Sequence, residues 1–415
     1  MRRGFKELKK LDEALAILMK KFGNKSFESE KLPLSEAIGR ILAEDIISEI
    51  DVPAFDRAAV DGFALKSHET FSANPYNPAI LKLKGIIYAD SEIREISEGE
   101  CMEISTGAPI PRGADAVVMI EDCELENGFV KVKRPVARFA NVSLKGEDIK
   151  KGEIVVSKGK LLKYHHIGVL ASIGVREVLV RRKPKIGIFS TGDELINYHE
   201  KLEVGKIVDS TRPMIIGALK EAGCEVIDRG IVKDDYNEIL SAINDLSSSS
   251  DMIITIGGTS VGRKDLLPEI IEKYFSMLFH GMAIKPGKPT SAGIVNEKPL
   301  IMLPGYPVAA LIGFEFVVLP LINIWTGRKR GKRRRIKAIL SRRVPTTPGI
   351  RHFLRAKIRS IDGKFIADPI MITGAGLLSS ITKADGLIII REDLEGLEEG
   401  EEVEVELIND EENFP

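Results

Sequence analysis

Five short polar clusters hold most of the chemistry that this 415-residue chain could do. They are Thr191-Gly192-Asp193-Glu194, Asp234-Asp235, GGTSVGRKD at 257–265, KPGKP at 285–289 and LPGYP at 303–307. Together they carry the carboxylates Asp193, Glu194, Asp234, Asp235 and Asp265 and the lysines Lys285 and Lys288. Carboxylates are hard oxygen donors suited to Mg²⁺, an ion that often bridges to phosphate. Lysine offers a compact positive charge to phosphate or another oxyanion. Gly257 and Gly258 lack side chains, so backbone N–H groups there can approach an anion closely. The set suits reaction at a phosphoanhydride, where a metal and fixed cations stabilise developing charge. Each cluster alone also has a plainer explanation. Gly-Gly after a strand is often only a tight turn, and LPGYP is also what a kinked strand exit looks like. Asp193-Glu194 and Asp234-Asp235 also fit helix caps that complement the macrodipole.

The elements around the clusters decide how they combine. Strand-like runs begin at Lys185, Glu225, Met252 and Leu300, with helical patterns from Pro213, Tyr236, Leu267 and Val308 between or after them. A further strand-like run starts at Met277. Such alternation predicts a parallel sheet covered on both faces. Ligands of such sheets bind beyond the carboxyl ends of the strands, and there the five clusters fall. Met252–Ile256 followed by Gly257-Gly258 is the centre of this pattern.

The rest of the chain divides by composition. Residues 1–51 and 141–183 share polarity and predict a discontinuous N-terminal domain of helix and strand, with a second helix starting at Ser35. Residues 52–140, with short β-like runs broken by Pro, Asn and Gly, predict an inserted β-rich module. Residues 184–327 form the doubly wound domain. Residues 328–415 open with RKRGKRRR, read as a solvated basic connection, and continue as β-structure. Asp362-Gly363 there is a strong hairpin signal. The expected fold is therefore α/β multidomain, with a central doubly wound, mostly parallel sheet and a C-terminal β-barrel.

Several function classes are excluded. Lys+Arg at 60 nearly cancel Asp+Glu at 61, so no global field favours nucleic acid or an anionic membrane. Three cysteines without CxxC spacing indicate a reducing, cytoplasmic setting with no zinc site. The N-terminal segment is an amphipathic helix rather than a signal peptide, and no run is expected to span a membrane. HExxH, GxSxG and Walker A patterns are absent, and adjacent His165 and His166 point to different faces. The absence of glutamine, with abundant Lys, Glu and Arg, suggests a hyperthermophilic source.

Seven motifs in order resemble the MoeA family, the molybdopterin molybdenumtransferases related to the E domain of gephyrin. They are PAFDRAAVDGFAL (53–65), STGAPIPRGADAVVM (105–119), GEDIKKG (146–152), STGDEL (190–195), GGTSVGRKD (257–265), AIKPGKP (283–289) and LPGYPVAA (303–310). The resemblance covers essentially the whole chain. It implies binding of adenylylated molybdopterin and molybdate or tungstate. The anhydride is then hydrolysed with Mg²⁺ assistance, AMP leaves, and the metal enters the dithiolene. By motif, Asp61, Glu194, Asp234 and Asp265 are the implied catalytic residues, with Glu194, Asp234 and Asp265 as metal ligands. Thr106, Asp148, Gly257, Gly258, Ser260, Lys285, Lys288, Pro304, Pro307 and Arg355 are the implied substrate contacts. The family's homodimers imply that Asp61 and Thr106 reach the partner's site. A molybdopterin adenylyltransferase is the implied upstream partner.

Departures fall on anion contacts. Gly281 stands where some relatives have lysine, Ala375 replaces a common serine, and Thr211 replaces the asparagine of a DSN motif. The adenylyltransferase of the preceding step is an alternative reading, disfavoured by the extra modules carrying Asp61 and Thr106. A scaffold that has lost catalysis is another, disfavoured by the intact acidic and lysine set.

Overall fold

The structure, a computed structural model, describes residues 7–25, 27–259, 266–328, 333–370 and 376–408. The chain forms two compact units, residues 1–30 with 181–415, and residues 31–180.

The first unit is built on a six-stranded sheet. After α1 (Leu11–Phe22) come β1 (Lys185–Thr191), α2 (Thr211–Glu221), β2 (Glu225–Val232), α3 (Tyr236–Ser249), β3 (Met252–Ile256) and α4 (Leu267–Tyr274). Then follow β4 (Ser276–Phe279), β5 (Ser291–Val295), β6 (Lys298–Leu303) and the long helix α5 (Pro307–Thr326). Strand order is β2-β1-β3-β6-β5-β4. β2, β1, β3 and β6 run parallel, while β5 pairs antiparallel with both β6 and β4. The mostly parallel sheet is as expected; the antiparallel strand β5 is an addition. Its sequence, SAGIV, is short and holds a glycine, so its strand signal is weak.

Side-chain alternation distributes the sheet between two cores. Ile186, Ile188, Met252, Ile254, Ile301 and Leu303 face a core with α1, α2 and α5. Phe189, Ile253, Leu300 and Met302 face the opposite core with α3 and α4. Period-two alternation of wholly apolar strands is what burial on both faces requires. From β1 the chain moves to β2 on one side and to β3 on the other. That reversal opens a crevice at the carboxyl ends of β1 and β3.

Two segments differ from their simplest reading. α1 packs into the first sheet core, where Leu11, Ala14, Leu18 and Phe22 are buried, and Trp325 Nε1 donates to the Phe22 carbonyl at 2.7 Å. Its apolar stripe finds a larger apolar surface there than a small domain offers. The run from Ser35 is not a long helix but a 3₁₀ turn, Leu34–Glu36, followed by bridges Ile41 to Leu161 and Leu42 to Val180. Gly39 at φ +74° breaks the helical path, and Leu34, Ala37 and Leu42 are buried by tertiary packing instead. A third difference concerns length. α5 spans 20 residues and, by length and composition, could cross a membrane, yet 67% of its apolar window is buried. The core around it accounts for that apolarity.

The C-terminal part of this unit closes into a barrel. Arg351–Ile361 pairs with Lys364–Pro369, which pairs with Arg335–Leu340, then Glu402–Leu407, then Gly386–Ile390, which returns to Arg351–Ile361. Asp362 and Gly363 both have positive φ, as the tight hairpin there requires.

The second unit holds separate cores. Leu42, Ile149, Val156, Leu162, Leu170 and Val180 form one. A six-stranded sheet, Ala116–Met119, Gly62–Leu65, Glu100–Ile104, Ala79–Ile87, Phe129–Val132 and Cys123–Glu126 in spatial order, carries two more. Cys101 and Cys123 are kept as thiols there, burial pushing each up to about 12.

Candidate functional site

The end of β1 is the first wall of the crevice. Thr191 is buried, and its Oγ1 donates to Asp234 Oδ1 at 2.6 Å. Asp234 follows β2, so this bond ties the ends of neighbouring strands. Asp193 N donates to Asp234 Oδ2 at 3.4 Å, and Asp234 N donates to Asp193 Oδ1 at 3.2 Å. Asp234 is half-buried, with both oxygens oriented by neighbours. Its chain neighbour Asp235 has a different task. It caps α3, accepting from Asn237 N and Glu238 N at 2.9 and 3.0 Å. The pair therefore splits: one carboxylate is a helix cap and the other faces the strand ends.

Glu194 is exposed, on a turn rather than at a helix start. A Cβ at Gly192 would lie 2.9 Å from Glu194 Oε1, so the carboxylate folds back over the strand end. The segment that follows is pinned from below. Lys206 Nζ donates to the Asp193 carbonyl at 2.8 Å, and Ile207 N to the Glu194 carbonyl at 2.8 Å. Buried Arg212 donates to Asp209 and to Asn197, each at 2.9 Å, and to Asp228 on β2.

The glycine loop after β3 forms the second wall. Gly257 and Gly258 have φ of +89° and +62°, values that glycine adopts without strain. A Cβ at Gly257 would fall 2.5 Å from the Thr191 carbonyl oxygen, and one at Gly258 would fall 2.9 Å from Thr191 Cγ2. The two strand ends thus meet backbone to backbone. The loop after β6 joins them. A Cβ at Gly305 would lie 3.7 Å from Gly257 Cα, and the Gly305 carbonyl accepts from Thr211 Oγ1 at 2.9 Å. Pro304 is buried and Pro307 opens α5.

The KPGKP turn is attached to the same helix. A Cβ at Gly287 would meet Ile284 Cδ1 at 2.8 Å and the Ala309 carbonyl at 3.5 Å. Lys285 and Lys288 are exposed. Lys285 pairs in register with His352 of the barrel strand. Burial, and then the Lys285 charge, push the His352 imidazole down, which favours its neutral form. Arg355 is buried, and its Nε has no hydrogen-bond partner among the described residues. Burial lowers its guanidinium from the usual range.

In the second unit, Thr106 donates to Asp61 Oδ1 through its backbone N at 2.7 Å and its hydroxyl at 3.0 Å. Those bonds hold the exposed Asp61 carboxyl below its ordinary range, the backbone bond contributing most. Asp148 is exposed on a loop anchored by its own N–H to the Val52 carbonyl at 3.1 Å.

The structure therefore brings Asp234, Gly257 and Gly258 together at the crevice, with Glu194, Pro304 and Pro307 on its loops. It places Lys285 and Lys288 on a turn against α5. Asp61, Thr106 and Asp148 belong to the other unit. Ser260 and Asp265 lie outside the described residues. Sequence reasoning named Thr191, whose hydroxyl orients Asp234, only as a member of a polar cluster with no role, and gave Thr211 only as a departure. Thr191's place directly after the predicted strand Lys185–Ser190 was the available signal. Its partner, however, depends on which strands are neighbours.

Comparisons with known proteins agree along the chain. Residues 9–174 match the description "MoeA N-terminal region (domain I and II)", 187–323 "Probable molybdopterin binding domain", and 337–408 "MoeA C-terminal region (domain IV)". The chain is 38% identical over 414 residues to a molybdopterin biosynthesis protein of Methanocaldococcus jannaschii, covering 97% of this chain and 99% of that one. It is 36% identical to the molybdopterin molybdenumtransferase of Bacillus subtilis, covering 93% and 91%. The crystal structure of the molybdopterin biosynthesis moeA protein of a Pyrococcus superposes with a TM-score of 0.84 at 37% identity, covering 97% of this chain and 100% of that one.

Proposed function

The chain belongs to the MoeA family of molybdopterin molybdenumtransferases, and from that premise we propose that it inserts molybdate or tungstate into adenylylated molybdopterin, releasing AMP. The observation that carries this reading is the junction at the switch point. Residues from the ends of four strands meet there in sequence, Asp234 bonded to Thr191, Thr191 against Gly257 and Gly257 against Gly305. Gly257 N donates to the Leu303 carbonyl at 3.0 Å, so the contact with a phosphate falls to the Gly258 N–H, which needs no side-chain clearance. Lys285 supplies positive charge that stabilises the anhydride oxygens as charge develops. Asp234, oriented by Thr191, positions the attacking oxygen or accepts its proton. Pro304 and Pro307 hold the loop that closes the site.

By chemical type, the carboxylates on the crevice loops suit a hard divalent cation. Glu194 and Asp234 both offer carboxylate oxygens, and Gly192 leaves room for the Glu194 carboxylate to fold over the strand end. Such an ion, Mg²⁺ by preference, would neutralise anhydride charge when bound to Glu194 and Asp234. Asp265, by resemblance, is a third candidate ligand.

The discriminating experiment offers two substrate mixtures. Adenylylated molybdopterin plus molybdate should yield AMP, while molybdopterin plus ATP should not be adenylylated. The reverse pattern would make the protein the preceding adenylyltransferase, and no turnover of either would make it a scaffold.

Lys285→Ala should weaken oxyanion binding roughly ten-fold. It should also flatten the dependence of affinity on salt, because a charge contact is lost. Titration of molybdate at low and high ionic strength checks this; an unchanged affinity and slope would contradict it.

We further propose a homodimer in which Asp61 and Thr106 of one subunit complete the other's site. Asp61→Asn and Asp234→Asn should then each be inactive alone. Mixing and reassociating them should restore about a quarter of parental activity, since half the dimers regain one of two sites. No recovery would place both residues in one subunit's site. An adenylyltransferase supplying the substrate is the expected upstream partner, and pull-down from a lysate producing both proteins would test it.

A further inference from the structure

The loop Leu303 to Pro307 carries one large side chain that nothing above uses. Tyr306 is 66% exposed. The backbone on both sides of it is fixed. The Gly305 carbonyl accepts from Thr211, and the Tyr306 carbonyl accepts from Ala310 N at 2.9 Å. The ring itself rests on the barrel segment. A Cβ at Gly376 would lie 3.2 Å from Tyr306 Cδ1 and 3.4 Å from Cε1, so the ring covers a bare stretch of backbone. One side of the ring is supported while much of the residue stays open.

Its position matters more than its exposure. Gly305 approaches Gly257 so closely that one residue separates the ring from the glycine loop. A phosphate held by that loop belongs to a molecule with two flat heteroaromatic rings, adenine on one side of the anhydride and pterin on the other. Burying an anchored aromatic face against such a ring gains stacking and apolar contact at little entropic cost, because the tyrosine has few rotatable bonds.

We infer that Tyr306 is a substrate-positioning residue, the stacking platform for a flat heteroaromatic ring next to the bound phosphate; this rests on the functional reading above. Calorimetric titration of the full-length protein with AMP and with adenylylated molybdopterin tests it. Tyr306→Ala should bind adenylylated molybdopterin roughly ten-fold more weakly, and Tyr306→Phe should stay within about two-fold of the parent. If AMP affinity falls in parallel, the ring is adenine; if only the substrate's falls, it is the pterin. Either result supports the assignment. Parental affinity for both ligands in Tyr306→Ala would overturn it, as would an equal loss in Tyr306→Phe, which would point to the hydroxyl. A parent protein that binds neither ligand would overturn the functional reading itself.

Discussion

Asp234→Asn should leave the protein folded and lower the rate of AMP release by roughly 10²–10³-fold. The substitution keeps shape and removes charge. An amide oxygen can still accept from Thr191 Oγ1, so the tie between the ends of β1 and β2 survives. The amide nitrogen, however, would face the Asp193 N–H, a donor against a donor. More important, the carboxylate oxygens that suit a cation or an attacking hydroxyl are halved, and their charge is gone. Unfolding free energy should move by no more than about 1 kcal/mol, the worth of one partly exposed hydrogen bond. Steady-state kinetics beside a thermal melt separates the roles. A large drop in kcat with an unchanged melt supports the assignment. Parental kcat, or a loss of rate that only tracks loss of fold, would remove Asp234 from the chemistry.

The second large effect is on stability, at the opposite ends of the same strands. Asp251, just before β3, is 6% exposed and accepts both guanidinium nitrogens of Arg182, at 2.7 and 2.9 Å. It also accepts the Lys185 N–H at 2.8 Å and pairs with Lys25 at 3.0 Å. Lys25 and Arg182 in turn lie 5.4 and 4.9 Å from the Phe27 ring centroid. One carboxylate thus joins the segment after α1, the entry to β1 and the start of β3. Burial alone would raise its pKa, but Arg182, the Lys185 N–H and Lys25 outweigh it and hold the group at about 2. The folded value lies below the ordinary 3.8, so the stabilisation is present above pH 3.8 and is lost as pH falls through about 2. A shift of this size corresponds to about 2 kcal/mol. Asp251→Asn should cost about 2 kcal/mol at neutral pH, because the half-buried Arg182 and Lys25 lose their counter-charge. Denaturant unfolding from neutral to acid pH checks both parts. The gap between parent and variant should close towards pH 2; a gap that stays constant would show that the charge is not its cause.

What the sequence could show follows from how local each signal is. The doubly wound sheet was legible because β1, β3 and β6 are buried on both faces and so read as apolar runs bounded by glycine. The barrel hairpin was legible in two residues, Asp362 and Gly363, because a tight turn dictates its own chemistry. α1 was legible as a helix but not in its packing, since an apolar stripe does not name the surface that covers it. The Ser35 segment misled for a related reason. Leu34, Ala37 and Leu42 mimic helical spacing, while Gly39 and the pairing of Leu42 with Val180 decide the path. At the site, the acidic residues stood out by type. That Asp235 caps α3 while its neighbour Asp234 meets Thr191 could be seen only once β2 lay beside β1. Thr191 and Gly305 carry no charge and matter through the contacts of their backbone and hydroxyl groups, which the fold creates.

The most direct measurement is a single-turnover reaction of purified protein with adenylylated molybdopterin, with and without molybdate or tungstate, counting AMP released and metal incorporated. The account predicts AMP and metallated cofactor in equal amounts, both requiring the oxyanion and both suppressed in Asp234→Asn. AMP release without metal incorporation, or the same yield from Asp234→Asn as from the parent, would contradict it.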